Sequence, residues 1–332
     1  MKKPSFFLKV LPAIVTAGAL SLSSQAVANN AAGSDYPARA ITIIDGFAPG
    51  GSTDVLARII GAELSEAWKQ PVVVLNRPGG GGVIATAQVA KAQPDGHTLL
   101  LATIGPIVIN PNFIKDLPYQ PQKDFAPVMT LVDVENVLVV NANHPAKSVK
   151  ELIALAKDKP GSLNFGSSGI GTTGHLAGEV FKQQTNTDIA HVPYRGGAPA
   201  MTALLGGETD MIFSSIPTAV GYINSGRIRA LAITGNSPQE ALPGIMPLKD
   251  AGVPNYELAA WYGLLAPAGT PAEVINKLQG EIKRILSLPD VRAKLVAQGL
   301  VPNPVSADEF AKRIKVETTN WKTVIDKAGI KG

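Results

Sequence analysis

The chain has 332 residues, no cysteine, 30 basic and 26 acidic side chains, and an aromatic content of 5%. The lack of cysteine excludes a disulfide framework and thiolate chemistry. With few aromatic residues and no basic run, the sequence does not offer the clustered positive charge and stacking partners that nucleic-acid binding needs. A chain of this length exceeds what one hydrophobic core usually serves, which predicts two domains.

Residues 1–28 have the features of a signal peptide. Three lysines precede an apolar run over residues 10–22, and the small residues Ala26 and Ala28 follow. The run is too short to cross a hydrocarbon layer of roughly 30 Å. We therefore expect cleavage after Ala28 and a periplasmic protein, with an uncleaved N-terminal anchor as the alternative. Removing the leader takes away three basic residues and no acidic one, so the mature chain carries 27 basic and 26 acidic residues and is nearly neutral.

After the leader, strands and helices alternate. Short apolar or β-branched runs end in glycine turns, and the segments after these turns carry apolar residues at helical spacing. Apolar strands that alternate with helices predict a parallel sheet covered on both faces. The predicted elements are a strand over residues 40–44, a helix over 52–70, a strand over 72–75, a glycine loop over 79–82, a helix ending near Gln93 and a strand over 97–102.

The same alternation returns later and predicts a second α/β layer system. Three amphipathic helices are expected to close the chain, beginning at Pro271, Pro289 and Ser306. The elements predicted for the second system are helices over residues 148–159, 172–184, 198–206 and 217–225, and strands over 163–165, 190–192, 211–213 and 228–234.

Two longer strand-like stretches, residues 125–141 and 257–266, separate these regions. We interpret both as crossovers between two α/β domains with a ligand cleft between them. Domain I is then formed by residues 36–132 plus 261–332, and domain II by the inserted residues 133–260. Two side-by-side domains without return of the chain are the alternative. Trp261 and Tyr262, on the returning crossover, are expected to pack in the core and at the hinge.

Three loops share one design, in which a strand ends in glycines and small hydroxyl residues that begin a helix. They cover residues 47–53, 166–173 and 194–199. Each presents unpaired backbone N–H groups at the positive end of a helix, which favours an anion such as a carboxylate. Because ligands bind beyond the carboxyl ends of parallel strands, all three loops can face one crevice.

Three other kinds of site are possible at these loops: a dinucleotide site, a hydrolase site and a metal site. Gly169, Gly171 and Gly174 form a Gly-x-Gly-x-x-Gly pattern, but no acidic residue ends the following strand, which disfavours a dinucleotide. Ser168 with His175 as its base would make an exported hydrolase, although a hydroxyl at a helix start is more typical of a cap. The four histidines show no metal-ligand spacing, and His97 and His191, which begin strands, are assigned structural roles. No cofactor is expected.

At these loops the chain resembles the substrate-binding proteins of tripartite tricarboxylate transporters, the Bug family. The similarity covers nearly the whole mature chain. Its motifs are Tyr36-Pro37, Phe47-Ala48-Pro49-Gly50-Gly51 with Asp54, Asn76-Arg77-Pro78-Gly79, Pro94-Asp95-Gly96, Gly171-Thr172-Thr173-Gly174-His175-Leu176 and Val192-Pro193-Tyr194-Arg195-Gly196-Gly197.

The resemblance implies a type II periplasmic-binding-protein fold, closure over the ligand, and a carboxylate held mainly by backbone amides and ordered waters. For Arg195, a carboxylate clamp and a solvated side chain remain equal alternatives. Carried over position by position, the family's site corresponds to Phe47, Ala48, Gly50, Gly51, Ser52, Thr53, Thr103 and Gly105 on one lobe, and to Ser167, Ser168, Thr172, Tyr194, Arg195, Gly196, Gly197, Ser214 and Ser215 on the other.

The leading hypothesis is therefore an extracytoplasmic solute-binding protein and not an enzyme. Its ligand would be a mono-, di- or tricarboxylate or an aromatic acid, delivered to integral membrane transporter subunits. The expected oligomeric state is a monomer, with no nucleic acid as partner. The alternatives are the exported serine hydrolase and a ligand sensor for a membrane kinase.

Overall fold

The computed structural model describes residues 35–328, so the leader predicted at residues 1–28 lies outside it. The first strands and helices alternate as the sequence predicts, and a π-helical turn at Gly105–Ile109 follows the third strand. The elements of this first lobe are β1 (Ile41–Asp45), α1 (Ser52–Trp68), β2 (Val72–Asn76), α2 (Val83–Ala90), β3 (Thr98–Thr103) and α3 (Pro121–Asp124).

A long strand, β4 (Phe125–Asn141), leads from the first lobe into the second. The second lobe repeats the alternation, and its first three strands run one or two residues beyond their predicted ends. Its elements are α4 (Val149–Asp158), β5 (Leu163–Ser167), α5 (Thr173–Thr185), β6 (Ile189–Pro193), α6 (Gly197–Gly206), β7 (Met211–Ser215), α7 (Ile216–Asn224) and β8 (Ile228–Ile233).

The chain then returns to the first lobe through a second crossover strand. Three helices follow within one residue of their predicted starts, and a short strand that the sequence did not predict separates the last two. These elements are β9 (Ala259–Pro267), α8 (Ala272–Ser287), α9 (Pro289–Ala297), β10 (Leu300–Pro302) and α10 (Ala307–Ala328).

The strands form one continuous sheet in the order β2-β1-β3-β9-β4-β7-β5-β6. Pairing is parallel within each lobe, between β1, β2 and β3 and between β5, β6 and β7. The crossovers are antiparallel to their neighbours, and β8 also runs antiparallel to β4. The predicted parallel sheet is therefore correct for the lobes but wrong for β8, whose direction depends on its partner and not on its own sequence.

The C-terminal helices pack on the first lobe. Trp261 is fully buried, and its ring meets Phe310 of α10 edge to face at 4.8 Å between centroids. Its indole N–H donates to Glu317 at 2.7 Å, and Arg313 of α10 bonds Asp133 of β4 at 3.1 Å. The tail is thus fixed to both crossover strands. The domain boundaries proposed from the sequence stay a prediction. None of the helices between Asp35 and Ala328 is long and apolar enough to span a bilayer.

Candidate functional site

A cavity lies between the two lobes, at the carboxyl ends of β1 and β3 on one side and of β5 and β7 on the other. Its volume is ≈ 50 Å³. Hydroxyl groups dominate its wall, and among residues 35–328 no charged side chain lines it. The lining residues are Phe47, Ser52, Thr53, Thr103, Ile104, Gly105, Asn136, Gly166, Ser167, Ser168, Thr172, Thr173, Gly174, Gly197, Ala200, Ile212, Phe213, Ser214, Ser215 and Tyr262.

Two carboxylates below the loop after β1 fix its shape. Asp45 is fully buried and accepts from the Phe47 N–H at 3.2 Å and from the Thr53 hydroxyl at 3.0 Å. Asp54, in the first turn of α1, accepts from the Gly50 N–H at 3.0 Å. Asn76 of β2 links the two acids, donating to Asp45 and to Asp54, at 3.1 Å in each case. The loop that carries the predicted motif is therefore held from beneath by side chains that do not reach the cavity.

The pKa values of these two acids are shifted in opposite directions. Burial raises the pKa of Asp45 to about 7, against the hydrogen bonds from Thr53 and Phe47, which act to lower it. Burial acts on Asp54 in the same direction, but the hydrogen bonds from Arg58, Gly50 and Asn76 and the charge of Arg58 together outweigh it and hold the Asp54 pKa below its ordinary value. Asp54 therefore carries the negative charge near the start of α1, where it also interacts favourably with the helix dipole.

Four helices of the described chain, α1, α5, α6 and α7, begin at the cavity, and no side chain caps any of them. Away from the cavity, α2, α8 and α9 also lack a side-chain cap, whereas α4 has one, with Ser148 Oγ accepting from the Glu151 N–H at 3.2 Å. What distinguishes the four helices is therefore their convergence on one cavity. Uncapped first turns leave N–H groups available to another acceptor. The positive ends of these four helices are thus directed at one small space.

Two of the uncapped helices begin at hydroxyl residues that could cap them but bond elsewhere. Thr172, before α5, donates its hydroxyl to the Gly169 carbonyl at 2.7 Å. Ser215, before α7, donates to Ser52 at 3.0 Å and lies 3.0 Å from the Thr218 hydroxyl. The sequence had suggested that such hydroxyls cap their helices. The structure shows that they are turned away from the helix N–H groups.

A chain of hydroxyl groups connects the lobes across the cavity wall. Tyr262 of the returning crossover lies 2.7 Å from Ser52 of the first lobe, which in turn accepts from Ser215 of the second. Burial raises the pKa of Tyr262 to about 12, so its phenol stays protonated. Tyr262 is buried as expected, and it also forms part of the cavity wall.

Glycines bring the loops of the two lobes into direct backbone contact. The Ala48 N–H of the first lobe donates to the Arg195 carbonyl of the second at 3.3 Å. A Cβ atom added to Gly196 would lie 2.9 Å from the Ala48 nitrogen, and one added to Gly105 would lie 2.8 Å from the Gly171 carbonyl oxygen. Both distances are too short for a methyl group, so this approach requires glycine.

The serine and histidine pair differs from the one considered in the sequence. Ser167, and not Ser168, bonds a histidine, at 2.7 Å from His191 Nε2. The His191 ring stacks between Phe165 and His175, at 4.7 and 4.2 Å between centroids. His175 Nδ1 accepts from the Gly171 N–H at 3.2 Å, so it has no free lone pair there to take a proton from a serine. The proposed Ser168 and His175 hydrolase pair is therefore wrong.

Because these histidines are stacked and buried, we expect the stability of the native state to fall as the pH is lowered. Burial, together with the charge of Lys182, lowers the pKa of His175 to about 4, and burial with the charges of His175 and Lys182 lowers that of His191 to about 3. Unfolded histidine titrates near pH 6.5, so between pH 6.5 and 4 the unfolded chain binds more protons and the native state loses stability as the pH falls. The His175→Gln substitution should reduce this loss by on the order of 2 kcal/mol at pH 4.

Melting temperature measured from pH 7.5 down to pH 4, for wild type and His175→Gln, tests this prediction. Asp45 and Glu135, whose pKa values burial raises to about 7, titrate in both proteins and act in the opposite direction. The comparison of the two curves therefore isolates the histidine. Parallel curves for the two proteins would contradict the assignment.

The residues predicted for the site divide into two groups. One group lines the cavity: Phe47, Ser52, Thr53, Thr103, Gly105, Ser167, Ser168, Thr172, Gly197, Ser214 and Ser215. The other does not line it and lies in the loops behind: Ala48, Gly50, Gly51, Tyr194, Arg195 and Gly196. The Arg195 side chain is exposed, and its carbonyl makes the contact between lobes. Ligand contact by any of these residues stays a prediction.

The sequence missed part of the wall. Asn136 of β4 and Tyr262 of β9 enter from the crossover strands, which carry no motif that would mark them. Their inward orientation depends on strand pairing, which the sequence alone does not fix. The other missed lining residues are Ile104, Gly166, Thr173, Gly174, Ala200, Ile212 and Phe213. In the part of the chain that the structure describes, no group of three acidic or histidine side chains is placed to hold a metal ion.

With this geometry established, comparison with known proteins identifies the family. The profile described as the tripartite tricarboxylate transporter family receptor matches residues 56–330. Protein BugT of Bordetella pertussis is 36% identical over 297 residues, which cover 89% of this chain and 91% of BugT.

Two solved structures are similar over almost their full length. A periplasmic transporter protein shares 42% identity at a TM-score of 0.86, with 89% of this chain and 99% of that chain covered. Rpa4515 of R. palustris, solved with adipate, shares 36% identity at a TM-score of 0.87, with 90% and 99% covered.

Proposed function

The chain belongs to the tripartite tricarboxylate transporter family of receptors, and from this premise we propose that it captures a small carboxylate in the cavity and delivers it to integral membrane subunits. Members of this family are periplasmic solute-binding receptors and not enzymes, which removes the exported hydrolase as an alternative. The proposal assigns the ligand, its binding residues and the receiving transporter.

The convergence of four uncapped helix N-termini on the cavity carries the proposal. Each helix end is equivalent to roughly half a positive charge, and its free N–H groups point toward the ligand. A carboxylate accepts several such bonds at once, and hydrogen bonds to an ionised acceptor are about twice as strong as neutral ones. Because charged side chains are missing from the described wall, helix ends and hydroxyl groups would bind the carboxylate without an ion pair.

The size of the cavity limits the ligand. A cavity of ≈ 50 Å³ suits a small molecule. The relative Rpa4515 was solved with adipate, a linear aliphatic dicarboxylate. We therefore favour short aliphatic acids over aromatic acids and over tricarboxylates.

Isothermal titration calorimetry with the mature protein tests the proposal. Short aliphatic acids should bind, whereas their uncharged amides of the same length should bind at least about 100-fold more weakly, because the helix ends favour the charged group. Succinate against succinamide and glutarate against glutaramide are suitable pairs. Equal affinity within each pair, or tight binding of a neutral solute alone, would refute anion capture.

The proposal extends to the export of the chain and to its division into two domains. We propose that residues 1–28 direct export and are removed, and that residues 36–132 plus 261–332 move against residues 133–260 as the cleft opens and closes. The backbone contact of Ala48 with Arg195 supports a closed arrangement held by few bonds. The intact mass of the exported protein shows whether residues 1–28 are removed. Small-angle X-ray scattering with and without ligand measures the closure of the cleft.

A further inference from the structure

Asn136 is the feature of the cavity that neither the sequence motifs nor the helix ends account for. It lies on the first crossover strand, is 5% exposed, and lines the cavity. Its backbone is fully engaged with Thr234, donating to the threonine hydroxyl at 3.0 Å and accepting from the threonine N–H at 2.8 Å. These two bonds fix the strand, and with it the position from which the side chain projects.

The side-chain amide of Asn136 has no hydrogen-bond partner within residues 35–328. Its cross-strand neighbour Ser215 is already bonded to Ser52 and Thr218. Asn110 offers a contrast, since its amide is also unpaired but is sealed inside the protein. The Asn136 amide instead reaches the cavity surface. An amide at the cavity wall without a protein partner can be satisfied only by what enters the cavity, so we take a polar group of the ligand as its partner.

A ligand with a single carboxylate would leave this requirement unmet. Its carboxylate would be bound by N–H groups at the helix ends, and an alkyl remainder packed on Asn136 would keep the amide unpaired. An amide both donates and accepts, so it pairs equally well with a carboxylate, through its N–H, or with a hydroxyl group.

We propose that Asn136 is a specificity-determining residue that binds a second oxygen-bearing group of the ligand, a carboxylate or a hydroxyl. The inference rests on the proposed capture of a carboxylate and adds a requirement to it. The ligand class becomes short dicarboxylates and hydroxycarboxylates, and simple monocarboxylates should bind more weakly. A site that hydrogen-bonds a polar group rejects an analogue lacking that group, because its own polar atoms are then left unpaired.

The test uses acids of equal chain length that differ in one end. Calorimetry on the wild type compares succinate with butyrate and adipate with hexanoate, and the second group should raise affinity by about 10-fold or more. In Asn136→Ala, affinity for the dicarboxylate should fall by about 10-fold or more, while affinity for the monocarboxylate changes by less than about 3-fold. Asn141→Ala is the matched control, because Asn141 lies on the same strand but outside the cavity wall.

The assignment would be overturned if Asn136→Ala lost equal affinity for the dicarboxylate and the monocarboxylate, or if the ratio of the two affinities stayed as in the wild type. If no carboxylate binds the wild type, the proposed function itself fails, which is a different outcome. Should Asn136→Ala not fold, Asn136→Asp keeps the shape of the side chain. It should reject succinate through charge repulsion and retain 4-hydroxybutyrate, whose hydroxyl can donate to it; retention of both would also overturn the proposal.

Discussion

Replacement of Ser168 by aspartate is expected to weaken carboxylate binding strongly while leaving the fold intact. Ser168 lines the cavity, is partly exposed, and makes no side-chain hydrogen bond within the described residues. A second carboxylate about 5 Å from that of the ligand would repel it by about 3 kcal/mol at the effective dielectric constant of a protein surface, which corresponds to a loss of roughly 100-fold.

Ser168→Asn is the matched control, because asparagine has the shape of aspartate without its charge. The ratio of the two dissociation constants, measured by calorimetry, isolates electrostatics from steric effects. We expect the asparagine variant to bind on the order of 100-fold more tightly than the aspartate variant. If both variants bind the acid equally, the ligand carries no negative charge at this end of the cavity.

Replacement of Gly105 by alanine is expected to keep the lobes apart. The added methyl group would lie 2.8 Å from the carbonyl oxygen of Gly171, and that oxygen belongs to backbone that cannot turn aside. Overpacking of this kind costs about 1–3 kcal/mol, so ligand affinity should fall by about 10- to 100-fold. Because we propose that the ligand-free protein is open, its melting temperature should change little.

Gly280→Ala is the control for this substitution. Gly280 lies in α8 with open space around it, so a methyl group there meets nothing. It should leave affinity unchanged and stabilise the helix by about 0.5–1 kcal/mol. Small-angle scattering at saturating ligand should give a larger radius of gyration for Gly105→Ala than for wild type. A normal radius with normal affinity would show that the contact between Gly105 and Gly171 does not limit closure.

The sequence predicted the lobes well because each strand, glycine turn and helix is specified locally. The apolar run of β1, the turn that follows it and the helical spacing of α1 lie within about thirty residues of one another. The orientation of β8 and the pairing of β10 with β4 were not predictable in this way. Both depend on partners distant in the chain, which no local pattern encodes.

The same distinction explains the site. The glycine loops were predicted because their motif is local, and the structure brings all three to one cavity. The contribution of Asn136 and Tyr262 was missed, since a residue within a long apolar strand gives no sign of which neighbour it will face. A hydroxyl residue at a helix start was expected to act as a cap, and Thr172 and Ser215 stand at two such starts. Their hydroxyl groups instead bond Gly169 and Ser52, contacts that only the folded loops create.

A crystal structure of the mature protein with a bound short dicarboxylate tests the central claim most directly. The account predicts one carboxylate within hydrogen-bonding distance of backbone N–H groups at the starts of α5, α6 or α7, with the second acid group on Asn136. Arg195 should remain outside, with its side chain in solvent. A carboxylate paired with Arg195, or a ligand bound outside the cavity, would contradict the account.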